Sequence, residues 1–134
     1  MLGLLPGTDT YRDVADHADA VTLPGLLLYR FDAPLFFANA GRMRDHLLAL
    51  QAEQGARCVV LDLEATHDID SSAIQVLHEL LDELDRRSVT LELARVRTEV
   101  HALLRVGGVE ERLDGRRVHL EVDDAVQAFR SRGD

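Results

Sequence analysis

The sequence of 134 residues predicts a single α/β domain, in which strands alternate with helices along the chain. Two observations carry this prediction. Short apolar runs alternate with longer segments whose apolar residues recur at three- and four-residue spacing. The run Val59–Leu63 is continuous apart from Asp62, which is typical of a central parallel strand covered on both faces. The predicted order is β, β, α, β, α, β, α, β, α, with the first two strands antiparallel because no helix joins them.

The first half of the chain supplies the first two strands and a helix. Its apolar runs are separated by Pro-Gly and Asp-Ala-Pro, which interrupt regular structure. The helix has a candidate N-cap in Asn39 and a candidate C-terminal stop in Gly55. The predicted elements are a short edge strand near Tyr11, a loop up to Pro24-Gly25, a strand at Leu26–Phe31 and a helix from Ala38.

The second half continues the alternation from the strand Val59–Leu63. A helix with a leucine-rich face and an acidic face follows a short acidic loop. Arginines at its end and acidic residues at the start of the last helix both suit the helix dipole. The predicted elements are a helix from Ser72, a strand at Val89–Val96, a helix at Thr98–Val106, a strand near Val118–Val122 and a helix from Asp123.

Composition excludes several classes of function. The net charge of -9 argues against nucleic-acid binding, which requires a basic face. All 15 basic residues are arginine, so chemistry that depends on a lysine is absent. Cys58 is the single cysteine and lies in an apolar run, which fits a reducing compartment. No apolar run approaches the roughly 20 residues that cross a bilayer, so we expect no direct membrane insertion.

The acidic loop Glu64–Asp70 offers two catalytic or metal-binding interpretations, and both lack partners. Asp62 begins a D-x-E-x-T pattern that superficially resembles the start of haloacid-dehalogenase-like phosphatases, but those enzymes also need a lysine. His67, Asp68 and Asp70 could begin a metal site, but no third or fourth ligand of suitable placement is visible. We therefore interpret the loop as solvated or capping acids.

The serine pair after this loop is the main candidate for function. Ser72 and Gln75 fit a capping box, which predicts Ser72 as the N-cap of the following helix, although Asp70 could cap as well. Ser71 would then be exposed just outside the helix. A phosphate on Ser71 would be favoured by the helix dipole and opposed by the negative charges of Asp68 and Asp70.

Three stretches of the sequence resemble segments of known proteins. The run DIDSSA, Asp68–Ala73, after VVLDLEA resembles the turn of STAS domains, the sulfate transporter and anti-sigma factor antagonist family. The run FDAPLFFANA, Phe31–Ala40, is similar to the second strand and helix entry of the STAS domain in SulP (SLC26-type) anion transporters. Residues 1–10 resemble the connector from the last membrane helix of those transporters, so residues 11–134 would be the STAS domain.

The resemblance implies a fold and a role. The fold is the STAS (SpoIIAA-like) fold, a mixed four- to five-stranded sheet with about four helices mostly on one face. The role is that of a non-enzymatic, cytoplasmic regulatory domain of an inner-membrane sulfate or anion transporter. Its implied partners are the membrane domain of its own transporter and a regulatory protein or serine kinase, with homodimerisation left open and no nucleic acid.

The resemblance also assigns residues. In the anti-sigma antagonist branch the first serine of the turn is phosphorylated, which is Ser71 here, so a stand-alone antagonist switched at Ser71 is the alternative function. Asp68, Asp70, Ser72 and Ala73 would form the interaction or anion-binding loop around it. Ala73 replaces the glycine of that branch. We expect no cofactor, while nucleotide binding through backbone N–H groups stays open.

Overall fold

The computed structural model describes residues 9–12, 18–114 and 117–132. Six strands and five helices are found within these ranges. Most of the predicted linker, residues 1–8, lies outside the described residues, and Asp9 and Thr10 belong to the first strand. In chain order the elements are β1 Asp9–Arg12, β2 Ala18–Leu23, β3 Leu26–Phe31, α1 Phe37–Gln54, β4 Cys58–Asp62, α2 Ser71–Arg86, β5 Thr90–Ala94, α3 Thr98–Val106, α4 Val109–Leu113, β6 Val118–His119 and α5 Val122–Ser131.

The strands form one mixed sheet in the order β1-β2-β3-β4-β5-β6. The first three strands are antiparallel neighbours, and β3 to β6 are parallel neighbours. The predicted mixed sheet with an antiparallel start is therefore confirmed. The parallel part places the carboxyl ends of β3, β4 and β5 at one edge, and the loop that follows β4 leaves the sheet there.

Strand β2 corrects the prediction of a loop up to Pro24-Gly25. It pairs with β3 across that turn, with Leu23 opposite Leu26. Gly25 has a φ of 78°, which suits a turn residue without a side chain. The segment looked irregular because its inward positions include two alanines, Ala18 and Ala20, which are small yet buried beneath the helices.

The sheet is covered on both faces. Helices α1 to α4 pack on one face and build the larger core, which confirms the expected helical layer on one side. Helix α5 packs on the opposite face over a smaller core. The smaller core consists of Val21, Leu26, Leu28, Cys58, Val60, Ala94, Ala125, Val126 and Phe129.

Helix boundaries follow the sequence signals in part. Helix α3 has the predicted bounds, and α1 ends at Gly55, whose φ is 64°. Asn39 is not the N-cap of α1, because the helix begins at Phe37 and the Asn39 Nδ2 donates to the Pro34 carbonyl at 3.2 Å. Helix α4 was not predicted. None of the described helices is both long and apolar enough to cross a membrane.

Candidate functional site: the serine loop

The serine loop, defined as residues 64–73, connects β4 to the first turn of α2. Helix α2 begins at Ser71, and its N-cap is Asp70. The Asp70 Oδ1 accepts a hydrogen bond from the Ala73 N–H at 2.7 Å, as an N-cap side chain does. The prediction of Ser72 as the cap, with Gln75 as its partner, is therefore wrong. A carboxylate at this position adds a charge that interacts favourably with the positive end of the helix dipole.

The predicted site residues divide by exposure. Ser71 and Ser72 occupy the first two positions of α2, and both are exposed. Asp68 is also exposed, and Asp70 is half-buried. Ala73 is fully buried, and its N–H is already engaged by Asp70. Among the predicted site residues, Ser71, Ser72 and Asp68 are thus the ones that the loop presents to solvent.

Backbone hydrogen bonds hold the loop in place. Leu35 N–H donates to the Asp68 carbonyl at 2.9 Å, and Asp70 N–H donates to the Leu35 carbonyl at 3.1 Å. Thr66 is fully buried and donates its hydroxyl to the Phe31 carbonyl at 3.2 Å. These bonds connect the loop to the segment between β3 and α1. The serines therefore project from a fixed backbone, which suits a surface that a partner recognises.

Asp62, at the end of β4, is held in an ion pair. Its side chain is 1% exposed, and Arg95 reaches it with Nη2 2.5 Å from Oδ2 and Nε 3.3 Å from Oδ1. The Glu64 N–H donates to the Asp62 Oδ1 at 3.0 Å. Hydrogen bonding to Asp62 raises the pKa of Arg95 above its ordinary value. These contacts anchor the start of the loop. They also engage the Asp62 carboxylate, which the phosphatase interpretation would use as the nucleophile, in an ion pair with Arg95.

The acids of the loop bind the backbone. Asp68 Oδ1 accepts from the Ile69 N–H at 2.9 Å, and Asp70 caps α2. His67 is exposed. In the part of the chain that the structure describes, no group of three or more His, Cys, Asp or Glu side chains is placed to hold a metal ion.

A cleft of about 550 Å³ lies between α1 and α2, and Ser72 lines it. The small residues Ala38 and Gly41 of α1 leave this space open. Arg44 bridges the two helices, because its Nη1 lies 2.6 Å from Glu79 Oε1. Sequence reasoning missed the cleft, since small residues inside a helical pattern also fit an ordinary exposed face.

An apolar surface lies beside α2, at the end of α3. Leu103 is 40% exposed and Val106 is 87% exposed. Ile74, one turn after Ser71, packs against Gly107 so closely that a Cβ there would lie 2.6 Å from the Ile74 Cγ2. Leu103 and Val106, called the α3 patch below, thus lie at the end of a helix whose following residue, Gly107, contacts Ile74 of α2. The sequence pattern places Leu103 on the same helix face as Val100 and Leu104, so its exposure was not predicted, whereas Val106 lies off that face.

The sequence of the chain is similar to those of known proteins. The family model described as the STAS domain matches residues 17–125. A probable sulfate transporter of Mycobacterium tuberculosis is 34% identical over 134 residues, covering 98% of this chain and 24% of the relative. The chain therefore spans about a quarter of the length of this curated relative.

Solved structures that share the fold include a transporter and an anti-sigma factor antagonist. The murine Solute Carrier 26 family member A9 anion transporter, in the inward-facing state, matches with a TM-score of 0.75 and 22% identity, over 92% of this chain and 22% of that one. The anti-sigma factor antagonist SpoIIAA, in its unphosphorylated form, matches with a TM-score of 0.67 and 14% identity, over 81% of this chain and 91% of that one.

Proposed function

The chain belongs to the STAS domain family, and on that premise we propose that it is a non-enzymatic, cytoplasmic regulatory domain of a SulP-type anion transporter. Support comes from its similarity to about a quarter of the length of a probable sulfate transporter. The anion is sulfate or a related species, and it does not pass through this domain. The domain instead acts on transport by binding another protein surface, in the first place the membrane domain of its own transporter.

The observation that carries this proposal is the surface around Ser71. The loop backbone is fixed by the hydrogen bonds to Leu35, so the position of the serine is defined before any partner binds. The α3 patch exposes two neighbouring apolar side chains, Leu103 and Val106, beside the same helix. Exposed apolar residues next to a polar rim are typical of protein-binding surfaces. This surface is the one we assign to contact with a partner.

Site-specific cross-linking tests the assignment. A photo-reactive amino acid at position 106 of the full-length protein that contains this domain is expected to cross-link to the membrane domain of the same transporter. Ala49 is exposed on α1 and serves as the matched control position. The proposal fails if position 106 gives no more cross-linked product than position 49, with the products mapped by mass spectrometry.

A second candidate is a stand-alone anti-sigma factor antagonist switched at Ser71. It is favoured by the exposed hydroxyl of Ser71 in the first helical turn, where the dipole stabilises a phosphate. It is disfavoured by the carboxylates of Asp68 and Asp70 nearby. Incubation with a cognate serine kinase and ATP, followed by intact-mass measurement, tests it. A mass increase that disappears in Ser71→Ala supports this function, and an unchanged mass removes it.

We propose no cofactor for the serine loop. Nucleotide binding at the start of α2 would rely on the first backbone N–H groups of the helix. Asp70 already accepts from the Ala73 N–H with its side chain and from the Ile74 N–H with its carbonyl. Its carboxylate also adds negative charge where a phosphate would lie. Calorimetric titration with guanine and adenine nucleotides is therefore expected to show no saturable heat, and a saturable binding curve would contradict this.

A further inference from the structure

Glu92 is a fully buried carboxylate in the sheet. It lies on β5, on the face covered by α5, and its side chain is 0% exposed. A buried charge of this kind is stable only with partners, because removal from water is costly. His119 Nε2 lies 2.6 Å from Glu92 Oε1, and Arg132 Nη2 lies 2.8 Å from Oε2. The Cys58 thiol also donates to Oε2, at 3.6 Å.

These partners lie on both sides of α5 in the chain. His119 belongs to β6, just before the helix, and Arg132 is the C-cap residue just after it. One carboxylate therefore contacts the chain at the two ends of a ten-residue helix. The helix itself buries three side chains, Ala125, Val126 and Phe129. Its attachment to the sheet thus depends on a small apolar contact together with the Glu92 contacts.

The contacts at the end of α5 involve Arg132, whose side chain reaches solvent. The Arg132 guanidinium carbon lies 5.9 Å from the centre of the Phe129 ring, and that of Arg57 lies 6.0 Å from it. The Arg132 side chain is nevertheless 45% exposed. The Arg132 guanidinium can be hydrated when it leaves Glu92, whereas Glu92 without this partner stays buried and is destabilised until the helix moves away. The pair of Glu92 and Arg132 therefore favours two positions of α5, one packed on the sheet and one fully detached from it.

We propose that α5 is a reversibly detaching helix whose closed position is set by Glu92. When the contact between Glu92 and Arg132 is lost, β6 and α5 leave the sheet together, while the layer of α1 and α2 stays folded. Opening exposes Cys58 and an apolar area of the sheet. That area comprises Val21, Leu26, Leu28, Val60 and Ala94.

Labelling of the single cysteine measures this opening. Burial raises the pKa of the Cys58 thiol to about 12, so the closed form reacts slowly with a thiol reagent such as 5,5'-dithiobis(2-nitrobenzoic acid). In Arg132→Gln and Glu92→Gln we expect labelling in native buffer to be about tenfold faster than in wild type or faster. Arg130→Gln, an exposed arginine on the same helix, and Glu83→Gln, a partly exposed glutamate on α2, are the matched controls.

Hydrogen exchange then shows which part of the chain has opened. The proposal expects lost protection in residues 117–132 and retained protection in α1 and α2 of the same variants. It is overturned if Arg132→Gln labels at the rate of Arg130→Gln. It is also overturned if protection falls equally in α1 and α2, because the cysteine would then report global unfolding. If Glu92→Gln does not fold, Arg132→Gln decides alone, since its side chain is half-exposed.

Discussion

Replacement of Asp70 by alanine tests how the serine loop is anchored. The substitution removes the hydrogen bond from Ala73 N–H to Asp70 Oδ1 at 2.7 Å. Loss of an N-cap side chain costs about 1 kcal/mol. Loss of its charge at the positive end of α2 adds about 0.5 kcal/mol. The free energy of unfolding should therefore fall by about 1.5 kcal/mol, which lowers the melting temperature by about 5 °C in a domain of this size.

Ser72→Ala is the matched control, because Ser72 is the cap that the capping-box pattern predicts. Its side chain is exposed and does not cap the helix, so the change should stay within about 0.5 kcal/mol of wild type. Urea denaturation followed by far-ultraviolet circular dichroism measures both variants, with the slope expected to stay unchanged. A larger loss for Ser72→Ala than for Asp70→Ala would refute the assignment of Asp70 as the cap.

Three further predictions concern Cys58, Asp62 and a pair of glycines. Burial raises the pKa of the Cys58 thiol from 9.0 to about 12, so the folded state binds this proton more tightly than the unfolded state does. The free energy of unfolding should therefore fall by about 1.4 kcal/mol per pH unit between those pH values. Urea titrations of Cys58→Ala should lack this pH dependence. Asp62→Ala removes a buried carboxylate that binds the half-buried Arg95, while Arg95 keeps its contact with Glu64, so the loss should be about 2 kcal/mol in the same assay, and a loss under about 0.5 kcal/mol would contradict the ion pair. Gly107→Ala forces a Cβ within 2.6 Å of Ile74 Cγ2 and should cost about 1 kcal/mol or more. Gly41→Ala meets nothing closer than 4.0 Å and should stabilise α1 by about 1 kcal/mol, so thermal melts that give both changes the same sign would contradict the packing.

Elements with strong local signals were predicted well from the sequence. The run Leu26–Phe31 follows a Pro-Gly turn and is almost wholly apolar, and the structure gives the strand the same bounds. Thr98–Val106 ends at a glycine pair and is likewise confirmed. Ala18–Leu23 was missed because its buried positions include alanines, which carry little periodic signal. Helix α4, with five residues, is too short for periodicity to reveal.

The site was only partly predictable for a different reason. The sequence located the serine loop, but Asp70 and Ser72 lie two positions apart and both can cap, so the choice depends on where the helix begins. Glu92 lies in the alternating run TLELA, a pattern that does not distinguish a buried carboxylate from one that faces solvent. Its partners His119 and Arg132 lie 27 and 40 residues further along the chain. Only the packing of α5 against the sheet brings them together.

Sulfate uptake by the full-length protein that contains this domain, reconstituted in proteoliposomes, tests the central claim most directly. Val106→Asp places a charge in the α3 patch without disturbing the core, since Val106 is 87% exposed. The account predicts that this substitution changes the uptake rate by about fivefold, the scale of a typical coupling between sites. Ala49→Asp, at an exposed position of α1, should leave the rate unchanged. Equal uptake by wild type and both variants would contradict regulation of transport through this surface.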